Sequence, residues 1–183
     1  MENRILSVGG HIPSFNKKTV VSIEPGKEFS SLSEKDIINE QDKWTVMFWW
    51  PKDFTFVCPT EISAFNDYFD QFSALNTQLI GASTDSEFVH LAWRNSHPDL
   101  KGLKFPMLAD TSKSLAEDFG ILEAEEKIAY RATYIIDPTG KIRWVNVNDL
   151  AIGRNIDEVL RVLEALQTNK LTPCNWKAGD ETL

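Results

Sequence analysis

Two short apolar runs that flank a helical pattern constrain the fold of this chain more than any other feature of its sequence. Thr45–Trp50 is rich in β-branched and aromatic residues and is followed by Pro51, which together predict a buried strand. Gln78–Ser83 predicts a second buried strand. Between the two runs, apolar residues at spacings of three and four predict one amphipathic helix, formed by Ile62, Phe65, Phe69, Phe72 and Leu75. The sequence therefore predicts a βαβ unit.

The rest of the chain predicts further strands and helices that suit a single α/β domain. These elements are a short strand at Phe15–Val21, helices at Ser86–Asn95 and Ser112–Phe119 (the second with Gly120 as its C-cap), a hairpin of Arg131–Ile136 and Lys141–Val147, and a last helix at Ile156–Gln167. A βαβ unit followed by a hairpin and a closing helix resembles the thioredoxin-like arrangement. The predicted fold class is therefore α/β, with a central mixed sheet flanked by helices. We expect one domain over residues 1–167 and a C-terminal tail over residues 168–183.

Composition argues against several classes of function. The formal net charge is −8, and Lys and Arg are scattered, so binding to nucleic acid or to an anionic membrane is not expected. No apolar stretch approaches the roughly 18–20 residues that span a bilayer. The N-terminal MENRILSVGG lacks the pattern of a secretory signal, so a cytoplasmic protein is expected. His11, His90 and His97 show no metal-ligand spacing with the two cysteines, so no metal site is expected.

Cys58 stands where the first strand of the βαβ unit ends and its helix begins. A helix N-terminus presents unsatisfied N–H groups and a partial positive charge, and both favour a thiolate. Pro59 suits the first turn of that helix, and Glu61 falls in the same turn. Position alone leaves two interpretations open, a reactive thiolate or a small buried apolar residue.

The neighbours of Cys58 favour the reactive thiolate. Pro51, Thr55 and Cys58 form the pattern Pro-x-x-x-Thr-x-x-Cys within PKDFTFVCPTE, in which Pro51 can cover the site from water and Thr55 can offer its hydroxyl beside the sulfur. This pattern resembles the peroxiredoxins, in particular the subgroup of the alkyl hydroperoxide reductase C subunit and the typical two-cysteine enzymes. The resemblance covers nearly the whole chain and includes TDSEFVHLAWR, FPMLAD, RATYIIDPTGKIR, IGRNIDEVLRVLEALQ and CNWKAGD.

The resemblance implies a role for each candidate residue. Cys58 would be the peroxidatic cysteine, which attacks a peroxide oxygen and becomes a sulfenic acid. The Thr55 hydroxyl, the backbone N–H of Cys58 and the Arg131 guanidinium would stabilise charge on the departing oxygen. Glu61 and Arg154 would orient Arg131. The alternatives are an ordinary turn hydroxyl at Thr55, a surface charge at Arg131 and a solvated helix start at Arg154.

Cys174 is the other cysteine of the chain and therefore the candidate resolving residue. The resemblance implies a disulfide between Cys58 of one subunit and Cys174 of its partner, and hence a homodimer and a ring of dimers. Typical relatives read Cys-Pro-x-x-Trp, whereas TPCNW at 172–176 places the cysteine two residues closer to the tryptophan. An idle exposed thiol, with the sulfenic acid resolved by an external thiol, stays open as an alternative.

The expected function is a thiol-dependent peroxidase that reduces hydrogen peroxide and organic hydroperoxides in antioxidant defence, without a cofactor or metal. Its reductant would be thioredoxin, a flavoprotein disulfide reductase or a small Cys-x-x-Cys carrier protein. A disulfide reductase is disfavoured, because such enzymes usually need Cys-x-x-Cys and position 61 is Glu61. A holdase chaperone or scaffold that uses the fold without chemistry is the alternative from another class.

Overall fold

The protein, described by a computed structural model over residues 4–183, is built around one seven-stranded sheet. The strands are β1 (Asn16–Val20), β2 (Phe29–Ser33), β3 (Trp44–Trp49), β4 (Thr77–Ser83), β5 (Met107–Ala109), β6 (Arg131–Ile136) and β7 (Ile142–Asn148). The helices are α1 (Cys58–Asp67), α2 (Phe69–Ala74), α3 (Glu87–Ser96), α4 (Ser114–Asp118) and α5 (Ile156–Gln167). The strand order is β2-β1-β5-β4-β3-β6-β7.

The sheet is mixed, as the sequence predicts. β3 pairs with β4 in parallel, with α1 and α2 in the connection between them, so the predicted βαβ unit is confirmed. β5 extends the parallel part, and β6 pairs antiparallel with β3 on the other side. The hairpin of β6 and β7 forms one edge of the sheet.

The alternation of side chains along β3 divides the core between the two faces of the sheet. Val46, Phe48 and Trp50 point to one face, where they join apolar residues of α1, α2, α3 and α5. Met47 and Trp49 point to the other face and pack with residues of α4. All five side chains are fully buried, which confirms the prediction of a buried strand.

The predicted helix over residues 62–75 is in fact two helices that meet at Tyr68. The backbone of Tyr68 (φ −88°, ψ 0°) lies at the margin of the right-handed helical region. Its hydroxyl donates a hydrogen bond to the carboxylate of Asp157 in the first turn of α5. Phe65 and Phe72 are both buried, because the apolar stripe continues after the break. Periodicity alone therefore could not reveal where the helix ends.

The strands β2 and β5 are not predicted from the sequence, because they are short or exposed. β2 lies at a sheet edge with a largely exposed polar sequence, and β5 has three residues. The predicted helix over 112–119 begins later, at Ser114, because Lys113 adopts a left-handed conformation (φ +63°). The C-cap is Phe119 rather than the predicted Gly120, which follows directly and takes the left-handed position after the cap. The φ of Gly120 is +69°, and a Cβ there would meet the Arg4 carbonyl oxygen at 2.2 Å.

The C-terminal segment 168–183 contains no helix or strand, but it packs against the rest of the domain. Trp176 is buried, and its indole N–H donates to the Asp180 carbonyl at 3.1 Å. Arg161 on α5 donates to the Trp176 carbonyl at 3.0 Å, which holds the segment against the domain. Within residues 4–183, no helix has the length and apolar character that crossing a membrane requires.

Candidate active site

Cys58 is the first residue of α1 and lies just beyond the end of β3. The loop 51–57 joins the two elements, and the carbonyl of Val57 opens the helix by accepting hydrogen bonds from the N–H groups of Thr60 and Glu61. The predicted position of Cys58 at a helix N-terminus is therefore confirmed. The residue is only 1% exposed, so its sulfur lies in a pocket shielded from bulk water.

Arg131 is brought to this sulfur by the register of the sheet. Thr133 of β6 pairs with Phe48 of β3, so Arg131 extends past the end of β3 towards the loop that carries Cys58. Its Nη1 lies 3.4 Å from the Cys58 Sγ, and its Nε donates to the Leu150 carbonyl at 2.7 Å. Arg131 is 5% exposed, so the alternative of a surface charge is wrong.

Glu61 joins two buried arginines through both of its carboxylate oxygens. Its Oε2 accepts from Arg131 Nη1 at 2.7 Å and from Arg154 Nη2 at 2.8 Å. Its Oε1 accepts from the backbone N–H and the Nε of Arg154, each at 3.0 Å. Turning the Arg131 guanidinium away from the sulfur would break this ion pair, so Glu61 fixes Arg131 in place.

Arg154 is not a solvated residue at a helix start, so that alternative is also wrong. Its side chain is 1% exposed, and its Nη1 donates to the Ala132 carbonyl at 2.9 Å. The guanidinium also lies over the rings of Phe48 and Phe65, at 5.4 Å and 5.8 Å from the ring centroids. These two rings are a supporting layer that the sequence motif does not indicate.

The charges of the cluster balance only when the sulfur is ionised. Two guanidinium groups and the Glu61 carboxylate sum to one positive charge, which a Cys58 thiolate cancels. Burial alone would lower the pKa of Arg131, but the hydrogen bond to Cys58 and the charge of Glu61 outweigh it and raise that pKa. For Arg154 the desolvation outweighs Glu61, so its pKa is lowered. An uncompensated buried charge is costly, and the cluster therefore favours the thiolate.

Thr55 and Pro51 lie on the loop before Cys58, but the predicted contact of Thr55 with the sulfur is not formed. The Thr55 hydroxyl donates to the Lys52 carbonyl at 2.9 Å, and no hydrogen bond of residues 4–183 joins it to Sγ. Its oxygen keeps lone pairs that can accept a hydrogen bond from a bound molecule. Pro51 is buried, and its role as a cover over the site stays a prediction.

Cys174 is exposed on the C-terminal segment and is not part of the cluster around Cys58. Both cysteines are free thiols in this single chain. Arg161 lies near Cys174; its pKa is raised mainly by the hydrogen bond to Glu158 and, to a smaller extent, by the charge of Cys174. A disulfide between Cys58 and Cys174 therefore requires a movement that exposes the Cys58 sulfur, whether the two cysteines belong to one chain or to two subunits.

Comparison with known proteins identifies the family of this fold and site. The model of the AhpC/TSA family matches residues 8–145. The chain belongs to the AhpC/TSA family. It is 43% identical over 187 residues to alkyl hydroperoxide reductase C of Mycobacterium tuberculosis, covering 98% of this chain and 94% of that protein. It is 42% identical over 183 residues to peroxiredoxin-1 of Gallus gallus, covering 96% and 89%.

Solved structures of AhpC/TSA proteins share the fold along nearly the whole chain. The Mycobacterium tuberculosis AhpC structure superimposes with a TM-score of 0.85 at 41% identity, covering 95% of this chain and all of that one. The reduced Plasmodium vivax 2-Cys peroxiredoxin gives a TM-score of 0.88 at 32% identity, covering 97% and 92%. The predicted thioredoxin-like fold class and the family resemblance are thus confirmed.

Proposed function

We propose that this AhpC/TSA protein reduces hydrogen peroxide and organic hydroperoxides with Cys58 as the attacking thiolate. The sulfur attacks one peroxide oxygen, the O–O bond breaks, and Cys58 becomes a sulfenic acid. The other oxygen leaves with the bonding electron pair and takes a proton to become water or an alcohol. The AhpC/TSA family and the relatives named peroxiredoxin and thioredoxin peroxidase support this class of activity, which is thiol-dependent peroxide reduction by an oxidoreductase.

The contact of Arg131 with both Cys58 and Glu61 is the observation that carries this proposal. The guanidinium supports the thiolate before the reaction and remains a donor for charge on the oxygen atoms as the O–O bond breaks. Because Glu61 and the Leu150 carbonyl fix it beforehand, little reorganisation accompanies the reaction. Thr55 would accept a hydrogen bond from the peroxide, since its own proton is engaged with the Lys52 carbonyl.

Resolution of the sulfenic acid is assigned to Cys174. Its thiolate would attack the Cys58 sulfur and displace hydroxide, which takes a proton to become water. The resulting disulfide would be reduced by an external dithiol. In this disulfide, Cys58 and Cys174 would belong to different subunits of a homodimer. Several such homodimers would assemble into a ring. The segment 168–183 then acts as a reactive tail on the domain 1–167. The external reductant would be thioredoxin, a flavoprotein disulfide reductase or a small Cys-x-x-Cys carrier, and the location cytoplasmic.

Replacing Arg131 with methionine is expected to lower the second-order rate constant with hydrogen peroxide by about 10²–10³-fold, the usual effect of removing one preorganised donor. The measurement is stopped-flow fluorescence of the reduced protein. The matched control is Arg143→Met on the same hairpin, because Arg143 is 36% exposed and pairs with Asp137 at the far turn. An unchanged rate constant in Arg131→Met would remove Arg131 from the reaction.

Removing the second thiol separates the peroxide step from resolution. One equivalent of peroxide should convert the reduced wild-type protein to a disulfide dimer on non-reducing electrophoresis. Cys174→Ser should consume the same first equivalent at the wild-type rate but stay monomeric on that gel, since the exposed thiol takes no part in the attack on peroxide. A dimer band of equal strength in Cys174→Ser would show that another group resolves Cys58.

A further inference from the structure

A buried carboxyl–imidazole pair lies outside the reacting cluster, on the loop that leads to Cys58. The side chains of Asp53 and His90 are 1% and 0% exposed, and Asp53 Oδ2 lies 2.7 Å from His90 Nδ1. The other ring nitrogen, Nε2, faces the Leu108 carbonyl at 3.1 Å. The second carboxyl oxygen of Asp53 accepts from the indole N–H of Trp50 at 2.7 Å. We call these groups the Asp53–His90 link.

The geometry of the link fixes how many protons it holds. Nε2 faces a carbonyl, so it must carry a proton to form a hydrogen bond. One further proton must lie between Nδ1 and Oδ2, on either atom, since each can accept when the other donates. If that proton is lost, the lone pair of a ring nitrogen faces either the carboxylate or the carbonyl oxygen. If a further proton is added, Nδ1–H and the carboxyl O–H face each other as two donors. The link is satisfied only with one shared proton, and buried polar groups without partners are costly.

The link holds a strained part of the loop 51–57. Phe54, the next residue, has a φ of +56°, a region that non-glycine residues rarely occupy. Asp53 is also held through its backbone N–H, which donates to Asp85 Oδ2 at 2.9 Å, and the Phe54 ring lies 5.9 Å from that of Trp93. Thr55 follows directly. A strained backbone persists only where its surroundings hold it, and here the buried Asp53 side chain does so.

We propose that Asp53 and His90 are positioning residues for the peroxide reaction, and that their shared proton holds the loop 51–57 in the geometry that Thr55 and Cys58 require. This proposal rests on the function proposed above. It adds a pH dependence to the reaction, because the loop loosens when the link loses its proton.

The electrostatic surroundings of the link give the direction of this pH dependence. Burial raises the pKa of Asp53, and the negative charge of Asp85 acts in the same direction, while the hydrogen bonds from His90 and Trp50 oppose it. His90 and Asp85 are the charged or titratable groups found to face Asp53 within the described chain. A raised pKa means that the shared proton is kept below it, so the support for the loop is present at lower pH and is lost as pH rises.

Two substitutions at Asp53 test the proton count. In Asp53→Asn, the amide nitrogen can donate to Nδ1 and the amide oxygen can accept from Trp50, while Nε2–H can still donate to Leu108. Every hydrogen bond is therefore kept without the titrating carboxyl. This variant should react with hydrogen peroxide at the wild-type rate and lack the decline of the rate with rising pH. Asp53→Ala should react about 10²-fold more slowly, as expected when reacting groups are displaced by about 1 Å.

The control variant and a second measurement make the outcomes decisive. Asp137→Ala removes another largely buried, hydrogen-bonded carboxyl, in the distant β6–β7 turn, and should keep the wild-type pH profile. Amide hydrogen exchange of residues 52–57 should accelerate in Asp53→Ala and stay at the wild-type rate in Asp53→Asn. A wild-type rate and exchange in Asp53→Ala, or equal losses in both Asp53 variants, would overturn the proposal. A wild-type protein without peroxide consumption would contradict the proposed function, and the exchange measurement would still test the link.

Discussion

Replacing Cys58 with serine is expected to abolish peroxide reduction down to the uncatalysed background. Serine keeps the size and position of the side chain, but its hydroxyl stays neutral beside Arg131 and cannot attack the O–O bond as a thiolate does. Peroxide consumption by the reduced variant, followed by stopped flow and by steady-state assay with an excess of small thiol, is the measurement. No other described group replaces the sulfur, because Cys174 is exposed and separate from the buried cluster.

The matched control for Cys58→Ser is Cys174→Ser, which should complete a first turnover. Turnover by Cys58→Ser at a rate near that of the wild type would show that another residue reacts with the peroxide.

The Cys58→Ser variant also distinguishes a peroxidase from the holdase alternative raised by the sequence. Protection of an unfolding client protein should survive in Cys58→Ser if the fold alone provides it, whereas peroxide reduction should not.

Replacing Glu61 with glutamine is expected to lower the free energy of unfolding by about 3–5 kcal/mol, the usual effect of removing one partner from a buried ion pair. Glutamine keeps the shape of the side chain but leaves the guanidinium groups of Arg131 and Arg154 without their shared carboxylate. Denaturant unfolding at neutral pH, under reducing conditions, is the measurement. The rate constant with peroxide should fall as well, since Arg131 loses the group that fixes it.

A surface pair provides the control for Glu61→Gln. Glu158 pairs with Arg161 but is 46% exposed, so Glu158→Gln should change the free energy of unfolding by less than about 1 kcal/mol. Combining Glu61→Gln with Cys58→Ser should cost more than the sum of the single changes, because the thiolate is the remaining negative charge beside Arg131. A fall of similar size at Glu61 and Glu158, or strict additivity, would contradict the charge balance described for the cluster.

The sequence predicts the elements that local pattern determines. The strand at β3, the start of α1 at Cys58 and the whole of α5 follow from apolar periodicity and from proline and capping residues, and all agree with the structure to within a residue or so. The helix break at Tyr68 could not be predicted, because the apolar stripe continues across it and the Tyr68 hydroxyl contacts Asp157, about ninety positions further along the chain. Short β5 belongs to the sheet through its pairing with β1 and β4, not through its own composition.

The site shows the same division between local and long-range information. The motif around Cys58 and the resemblance name Arg131, Glu61 and Arg154, but not the burial of Arg154 over Phe48 nor the arrangement in which one carboxylate serves two arginines. The engagement of the Thr55 hydroxyl with a backbone carbonyl is likewise absent from the motif. These contacts depend on how β6 is placed beside β3, which only the folded chain provides.

The shared carboxylate has a consequence for the order of events at the sulfur. In the proposed reaction, a neutral sulfenic acid carries no charge to replace that of the thiolate, so oxidation of Cys58 would leave the buried cluster with an excess of one positive charge. The incoming partner that restores neutrality is an anion, and a second thiolate is such an anion. The cluster therefore repels an anionic sulfur less after Cys58 is oxidised than before. This electrostatic preference acts in the same direction as the chemistry, since a thiolate can form the disulfide only with the oxidised sulfur.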